Sequence, residues 1–437
     1  MNTVAYNVEK NNNLKVAKEN VDASRAYRYR LYPDSKRQKE IDEQIELARL
    51  LYNKLLEKAK AEYQKTKSFE IKKANFNRFL KEAISENREY NRLYSQTRQN
   101  VFVRLQRAYQ NFFRRVKEKK AGKKAKIGFP RFKAKGRYTS ITYPQFGFRI
   151  DREKKCHMLR MSKIGGVKIE LHRSIEGAIK TMTIKKEAGD YYAVFSTVSE
   201  IVPPKVRDTN PIGIDMGLNT FAMLSDGRKI TKPNFAKKAE KHIARWQRIV
   251  ARREKGSKRR DRAKLKLERE WQTVNNQSND FVFKAVGDLL VTGYTSFAVE
   301  GLRIPNMLKN HRLARSIQNA SWSRFIQVLS SKAEEAGMGI TVVDPMNTSQ
   351  TCSECGQKHA MSLSDWTFSC DCGYSADRDI NAARNILNRA TAGHAGSHAR
   401  GDSATTVQQE SQVGSLKREH TPYEVSTISN VEEAHTL

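Results

Sequence analysis

Residues 348–387 read TSQTCSECGQKHAMSLSDWTFSCDCGYSADRDINAARNIL, and this stretch holds four of the chain's five cysteines directly ahead of an acidic segment that opens a helix. Cys352 and Cys355 form a C-x-x-C pair, and Cys370 and Cys372 a C-x-C pair separated from it by fourteen residues. Two turn-like pairs of this kind can aim four thiolates at one tetrahedral zinc, with Gly356 and Gly373 relaxing each turn. Two disulfides are the competing assignment, and they need an oxidising compartment. The opening residues Met1 to Ser24 are rich in Asn, Lys and Glu and contain no apolar run to act as a signal sequence, so reduced, metal-bound thiols are expected.

The chain's 437 residues suffice for two or three domains, each with its own core. Lys and Arg number 81 against 47 Asp and Glu, a formal charge of +34, and the pI is near 10.0. Such an excess points to a polyanionic partner. No apolar stretch approaches the ~18 residues that span a bilayer, and the cations are interleaved with Phe and Tyr over long distances instead of forming one amphipathic anchor. Nucleic acid is therefore favoured over membrane. A merely solvated basic surface would suit one charged run but not an excess spread over most of the sequence.

The N-terminal residues 1–24 pattern as disordered. Ala26 to Tyr32 alternates as a strand that Pro33 ends. An amphipathic helix from Lys36 to about Lys65 follows, with Ile41, Ile45, Ala48, Leu51, Leu55 and Ala59 on one face, and further helices are expected over 69–86 and 96–119. The basic segment 117–138 places Phe129, Phe132 and Tyr138 among cations that include Lys123, Lys124 and Arg131. Lysines can neutralise phosphates while aromatics stack on bases; a basic loop whose rings dip into the core is the equal alternative. Short strands over 158–161, 167–171, 180–186 and 191–198 suggest a small β barrel. Strand 26–32 would close it, with the helical part inserted. The resulting fold class is multidomain α+β: a barrel (25–35 and 125–203), a helical domain (36–124), an α/β domain (206–390) enclosing the cysteine element (348–374), and a disordered tail (391–437).

Within the α/β part, strands are expected over 212–215, 220–224, 296–300 and 339–343. Helices are expected over 238–253, 261–274, 281–293 and 321–335. The arginine-rich pair broken at Gly256-Ser257, with Arg252 and Arg253 at its turn, is either a solvated hairpin or a grip on a nucleic-acid backbone. Three acids sit where such elements would present them: Asp215 in GIDMG, Glu300 ending FAVE, and Asp379 in DRDINAARN. Singly, each has an ordinary role as turn former, loop cap or helix N-cap. Together they suit a pair of Mg²⁺ ions about 3.5–4 Å apart, which needs clustered carboxylates from neighbouring strands and a helix to cleave a phosphodiester. Cys156 has no such framework and reads as a strand residue.

GIDMGLNTFAMLSDG, AVEGLRIPNM, TSQTCSECG and ADRDINAARNIL, in that order, resemble the split RuvC-type nuclease and zinc-ribbon motifs of the TnpB (OrfB) proteins of insertion sequences, relatives of the compact type V CRISPR effectors. RAYRYRLYP, RLLYNKLL and the pairing of RAYQNFFRRVK with IGFPRFKAK are similar to that family's opening motifs. The resemblance implies an RNase H-like nuclease that uses a guide RNA from the element's own end and cuts double-stranded DNA beside a short transposon-associated motif. It places Asp215, Glu300 and Asp379 on the catalytic, magnesium-binding positions and Cys352, Cys355, Cys370 and Cys372 on one structural zinc. Asp377 is the structural neighbour of the third acid, and Tyr52 and Asn53 lie in a helix that faces DNA. A cytoplasmic, nucleoid-associated protein of a bacterium or archaeon is implied. The C-x-C pair is one residue shorter than the family's frequent C-x-x-C, and Phe283-Lys284 stands where His-Lys is expected.

Two other functions compete. A guided binder that represses without cutting leaves the three acids unexplained. An RNase H-like transposase usually orders its acids Asp, Asp, Glu, whereas here the order is Asp, Glu, Asp.

Overall fold

The computed structural model describes residues 21–66, 73–123, 125–153, 156–201, 210–231, 233–311, 313–362 and 365–395. Residues 1–20 of the expected disordered start, 396–437 of the expected tail and Lys124 lie outside them.

Strand β1 (Val21–Tyr32) begins inside the stretch expected to be disordered. It is fixed there by an antiparallel ladder with β7 (Asp190–Ile201) that runs from the pair Val21 and Ile201 to the pair Leu31 and Tyr191. Tyr27, Tyr29 and Leu31 alternate inward and are buried. Asp34 caps helix α1 (Ser35–Thr66), its carboxylate accepting from the Arg37 N–H at 2.7 Å. All six residues of the expected apolar face of α1 are buried. Helices α2 (Lys73–Glu86) and α3 (Ser95–Lys120) pack beside it, joined by a 3-10 turn at Arg88–Arg92.

The chain then returns to the sheet through β2 (Ser140–Tyr143), β3 (Phe148–Glu153), β4 (Cys156–Met161), β5 (Gly165–Ile169), β6 (Ala178–Glu187) and β7. The strand order is β2-β6-β7-β1-β5-β4-β3. Strand β1 is thus central and does not close the sheet at its margin. The edges β2 and β3 are not laddered together, so the pairing is that of an open sheet and not of the expected closed barrel. The sheet and the three helices share one core.

A second core belongs to a five-stranded sheet ordered β10-β9-β8-β11-β12. Its strands are β8 (Pro211–Asp215), β9 (Thr220–Leu224), β10 (Lys229–Thr231), β11 (Ser296–Glu300) and β12 (Gly339–Val343). β8, β11 and β12 run parallel, while β9 and β10 are antiparallel additions. Helices α4 (Phe235–Arg252) and α5 (Lys258–Val291) form the arginine-rich hairpin, followed by α6 (Ile304–Met307), α7 (Ala314–Ala320) and α8 (Trp322–Glu335). α5 is one helix where two were expected. The run Asn275 to Asp280 is a poor helix former, but Val274, Val282, Ala285, Val286 and Leu289 are buried, each worth about 1–3 kcal/mol of apolar transfer, and packing overrides propensity. α5 also touches the first sheet: Arg269 Nε donates to Ala188 O at 3.2 Å and Gln272 to the Tyr192 hydroxyl at 3.2 Å.

The C-terminal elements are the hairpin β13 (Thr367–Ser369) and β14 (Ser375–Asp377), then α9 (Arg378–Ala395), whose last turn extends into the segment expected to be tail. α9 lies directly on β8. A Cβ on Gly213 would come within 2.1 Å of Ala383 O and 2.9 Å of Leu387 N, so only glycine allows this approach. Beside it, Ala298 and Val343 pack on Ile386. Gly213→Ala should therefore cost about 3 kcal/mol by overpacking. Thermal unfolding measures it; a variant as stable as the parent would mean that α9 is not seated this closely.

A carboxylate site beside a four-thiol cluster

The Gly213 contact sets the geometry of the three acids. Two residues along β8 from Gly213, about 6.6 Å, lies Asp215 on the same face of the strand. One helical turn back along α9 from Ala383, about 5.4 Å, lies Asp379. The two carboxylates are thus brought level at the C-terminal end of the strand and the N-terminal end of the helix. The parallel register of Ile214 with Val299 sets Glu300 beside Asp215 on the adjacent strand, and Ala298, two residues before Glu300, faces α9 as Gly213 does.

Electrostatics record the convergence. Burial, then the charges of Glu300 and Asp379, push the Asp215 carboxyl from its ordinary 3.8 up to about 8, against the opposing pull of Arg378 and the Met216 N–H. Burial also raises Glu300, which is only 6% exposed, while the Thr348 hydroxyl and Arg389 oppose the rise. Thr348 Oγ1 donates to Glu300 Oε1. Asp377 accepts the Asp379 N–H at 2.9 Å, the position of an N-cap, and its other oxygen meets Lys229 at 3.3 Å, as expected of a structural neighbour. A sheet end where two neighbouring carboxyls, Asp215 and Glu300, resist ionising is suited to a cation.

The four thiols assemble as the spacing predicts. All cysteines are free. Those at 352, 355, 370 and 372 present sulfurs within 4.8 Å of one another, close enough to share one metal ion. The Cys352 and Cys372 sulfurs are 3.8 Å apart, and those of Cys355 and Cys370 3.4 Å, close to the ~3.8 Å edge of a tetrahedron with bonds of about 2.3 Å. Each turn is closed by a glycine of positive φ, Gly356 at 77° and Gly373 at 89°, whose N–H donates back to Cys352 and Cys370 carbonyls. The C-x-C pair therefore reaches the cluster despite its shorter spacing. His359 was not singled out from the sequence; it stands 3.1 Å from Cys370 Sγ and edge-on to Phe368. Its place, four residues after Cys355 and just beyond that turn, was the available signal.

The residues expected to meet nucleic acid divide. Tyr52 is only 4% exposed, packed on Tyr138, and burial followed by the Tyr138 charge pushes its hydroxyl up to about 12. Both polar atoms of the Asn53 amide are taken by Lys133: Nδ2 donates to its carbonyl at 3.0 Å and Oδ1 accepts its N–H at 2.7 Å. These two helix residues are therefore engaged with the loop 125–139 in this state. Phe129 turns inward onto Tyr109 and Phe112, whereas Phe132 is half exposed with the Lys60 ammonium 4.5 Å above its ring. Lys123, Arg131 and Arg252 are exposed, but Arg253 closes the helical hairpin by donating to Arg259 O.

Family models match residues 23–68 (helix-turn-helix domain), 189–311 (OrfB_IS605, "Probable transposase") and 322–386 (Cas12f1-like, TNB domain). The first of these covers one strand and one long helix here. A protein of Escherichia coli (strain K12) named "Putative RNA-guided DNA endonuclease InsQ" is 31% identical over 318 residues, 69% of this chain and 75% of that one. A "Putative RNA-guided DNA endonuclease" of Streptomyces pristinaespiralis is 30% identical over 406 residues, 90% of this chain and 96% of that one. The solved Cas12f1 in complex with guide RNA and target DNA aligns with a TM-score of 0.51 at 14% identity over 85% of this chain and 99% of that one, which establishes a shared compact fold of mixed helices and sheets. No helix among the described residues is long and apolar enough to cross a membrane. With relatives this similar over this much of their length, the chain belongs to the TnpB (OrfB, IS605) family.

Proposed function

We propose that the protein is an RNA-guided DNA endonuclease of a transposable element, cutting DNA next to a short motif by two-metal hydrolysis. The observation that carries this reading is the meeting of Asp215, Glu300 and Asp379 at one end of the five-stranded sheet, with Asp215 held neutral up to about 8. The names of the relatives and the charge of +34 support nucleic-acid substrates and partners. The strand order, with three parallel strands extended at β8 by two antiparallel pairings through β9 and β10, is in keeping with an RNase H-like nuclease domain. Mg²⁺ bound there would supply an activated water and stabilise the leaving 3′ oxygen. Asp215, Glu300 and Asp379 would hold the ions, and Asp377 would hold the helix start that carries Asp379. Zinc, held by Cys352, Cys355, Cys370 and Cys372, would be structural, making 348–374 a zinc ribbon. The first sheet and α1–α3 would hold the guide and read the adjacent motif, while base pairing reads the target.

Replacing any one of the three acids by its amide should abolish Mg²⁺-dependent cleavage while leaving RNA and target binding near the parent level. Asp215→Asn carries a second signature. Because its folded value lies above the ordinary one, Asp215 favours the folded state at low pH, and that contribution is lost as pH rises from about 4 towards 8. Without Mg²⁺ at pH 8, the Asn variant should therefore melt ~3 °C or more above the parent, with the difference vanishing near pH 4. Cleavage by these variants would end the assignment.

Elemental analysis should find one zinc per chain, and Cys370→Ser should lose it together with the ordered ribbon. Purified protein with no bound metal and the four thiols oxidised to disulfides would contradict the zinc assignment.

A further inference from the structure

Between β12 and the first cysteine pair the chain runs through turns, with Asn347 at a positive φ of 60°. Little apolar packing holds this segment, yet Thr348 within it is 5% exposed. It is fixed by one face of α9. Asn385 Nδ2 donates to the carbonyls of Thr348 at 2.8 Å and Thr351 at 2.6 Å. Asn381, fully buried, donates to Thr351 O at 2.8 Å and accepts the Ser353 N–H at 2.9 Å, and Asn388 donates to Ser353 O at 2.9 Å. Positions 381, 385 and 388 share one helical face by their spacing of four and three.

The other side of the same segment meets the carboxylate site. The Thr348 hydroxyl has one proton and two acceptors within reach, Glu300 Oε1 and, at 3.3 Å, Pro345 O. A carboxylate oxygen is the stronger acceptor, so the proton goes to Glu300. Among the described residues, Oε2 of Glu300 accepts no hydrogen bond, which leaves it as the oxygen open to an ion. Without that donor, no hydrogen bond among the described residues would fix the orientation of the Glu300 carboxylate.

We propose that Thr348 is a positioning residue for the cleavage reaction: its hydroxyl, held in place by Asn385 and Asn381 of α9, fixes the Glu300 carboxylate so that Oε2 faces the metal site. The helix that carries Asp379 thereby also orients Glu300, and two of the three ligands are set by one element. This rests on the reading of the three acids as magnesium ligands.

The test compares Thr348→Val and Thr348→Ser in the full chain loaded with its co-purifying RNA. The Mg²⁺ concentration for half-maximal cleavage should rise about tenfold in the Val variant and stay within about twofold of the parent in the Ser variant, with target-DNA binding unchanged in both. Asn385→Ala keeps the hydroxyl but frees the loop, and should raise the Mg²⁺ requirement in the same direction; it replaces the Val variant if that one fails to fold. A second readout needs no activity. Fe²⁺ with peroxide and ascorbate should cut the parent's own backbone near residues 215 and 300, the Val variant far less, and the Ser variant as the parent. A Val variant with the parent's Mg²⁺ requirement and Fe²⁺ pattern overturns the role of Thr348 and leaves the site assignment standing. A parent that neither cleaves with Mg²⁺ nor is cut by Fe²⁺ near those residues overturns both.

Discussion

The contact on which the site depends is the approach of α9 to β8 at Gly213, where a helix carbonyl occupies the space that any side chain would fill. A helix seated this close has little freedom to slide or roll, so the positions of its first turn are set by the strand beneath it. Asp379 then stands level with Asp215, and the parallel pairing of β8 with β11 adds Glu300 from the side. Three carboxylates far apart in sequence are placed by one backbone contact and one strand register.

Such a site is costly to the free protein. Two of the three carboxyls are raised by burial, and Asp215 is raised further by its neighbours. The surrounding structure must hold three acidic groups together, and it does so with rigid elements. The weak point is the crossing from β12 to α9. Among the described residues of 344–377 only Thr348, Cys352 and Phe368 are buried, too little apolar surface for a segment of this length to fold on its own. A metal on four thiols would supply the missing constraint, and the asparagine face of α9 binds the segment to the same helix that presents Asp379.

Much of this was legible beforehand because it lies in local pattern. The apolar face of α1, the apolar core strands and the cysteine turns follow from periodicity and spacing, and the three acids stood at element ends. What escaped depends on tertiary partners. β2 and β3 are short, and the charged run FRIDRE of β3 shows little apolar alternation; both are strands because β6 and β4 pair with them. The helix through Asn275 to Asp280 exists because the residues on either side of it are buried. Tyr52 and Asn53 sit in the expected helix, but the loop carrying Lys133 covers them. Gly213 was read only as part of GIDMG, and nothing local reveals that a helix 170 residues later will rest on it. The family resemblance suggested a joint role for the acids, which periodicity alone leaves as turn formers and caps.

The central claim, that a basic scaffold delivers a guide RNA to this carboxylate site, is tested most directly by sequencing the RNA that co-purifies with the protein and then supplying DNA complementary to its variable end. The account predicts one structured RNA species and Mg²⁺-dependent cutting of the matched DNA alone. Protein that purifies without RNA, or that cuts matched and unmatched DNA equally, would contradict it.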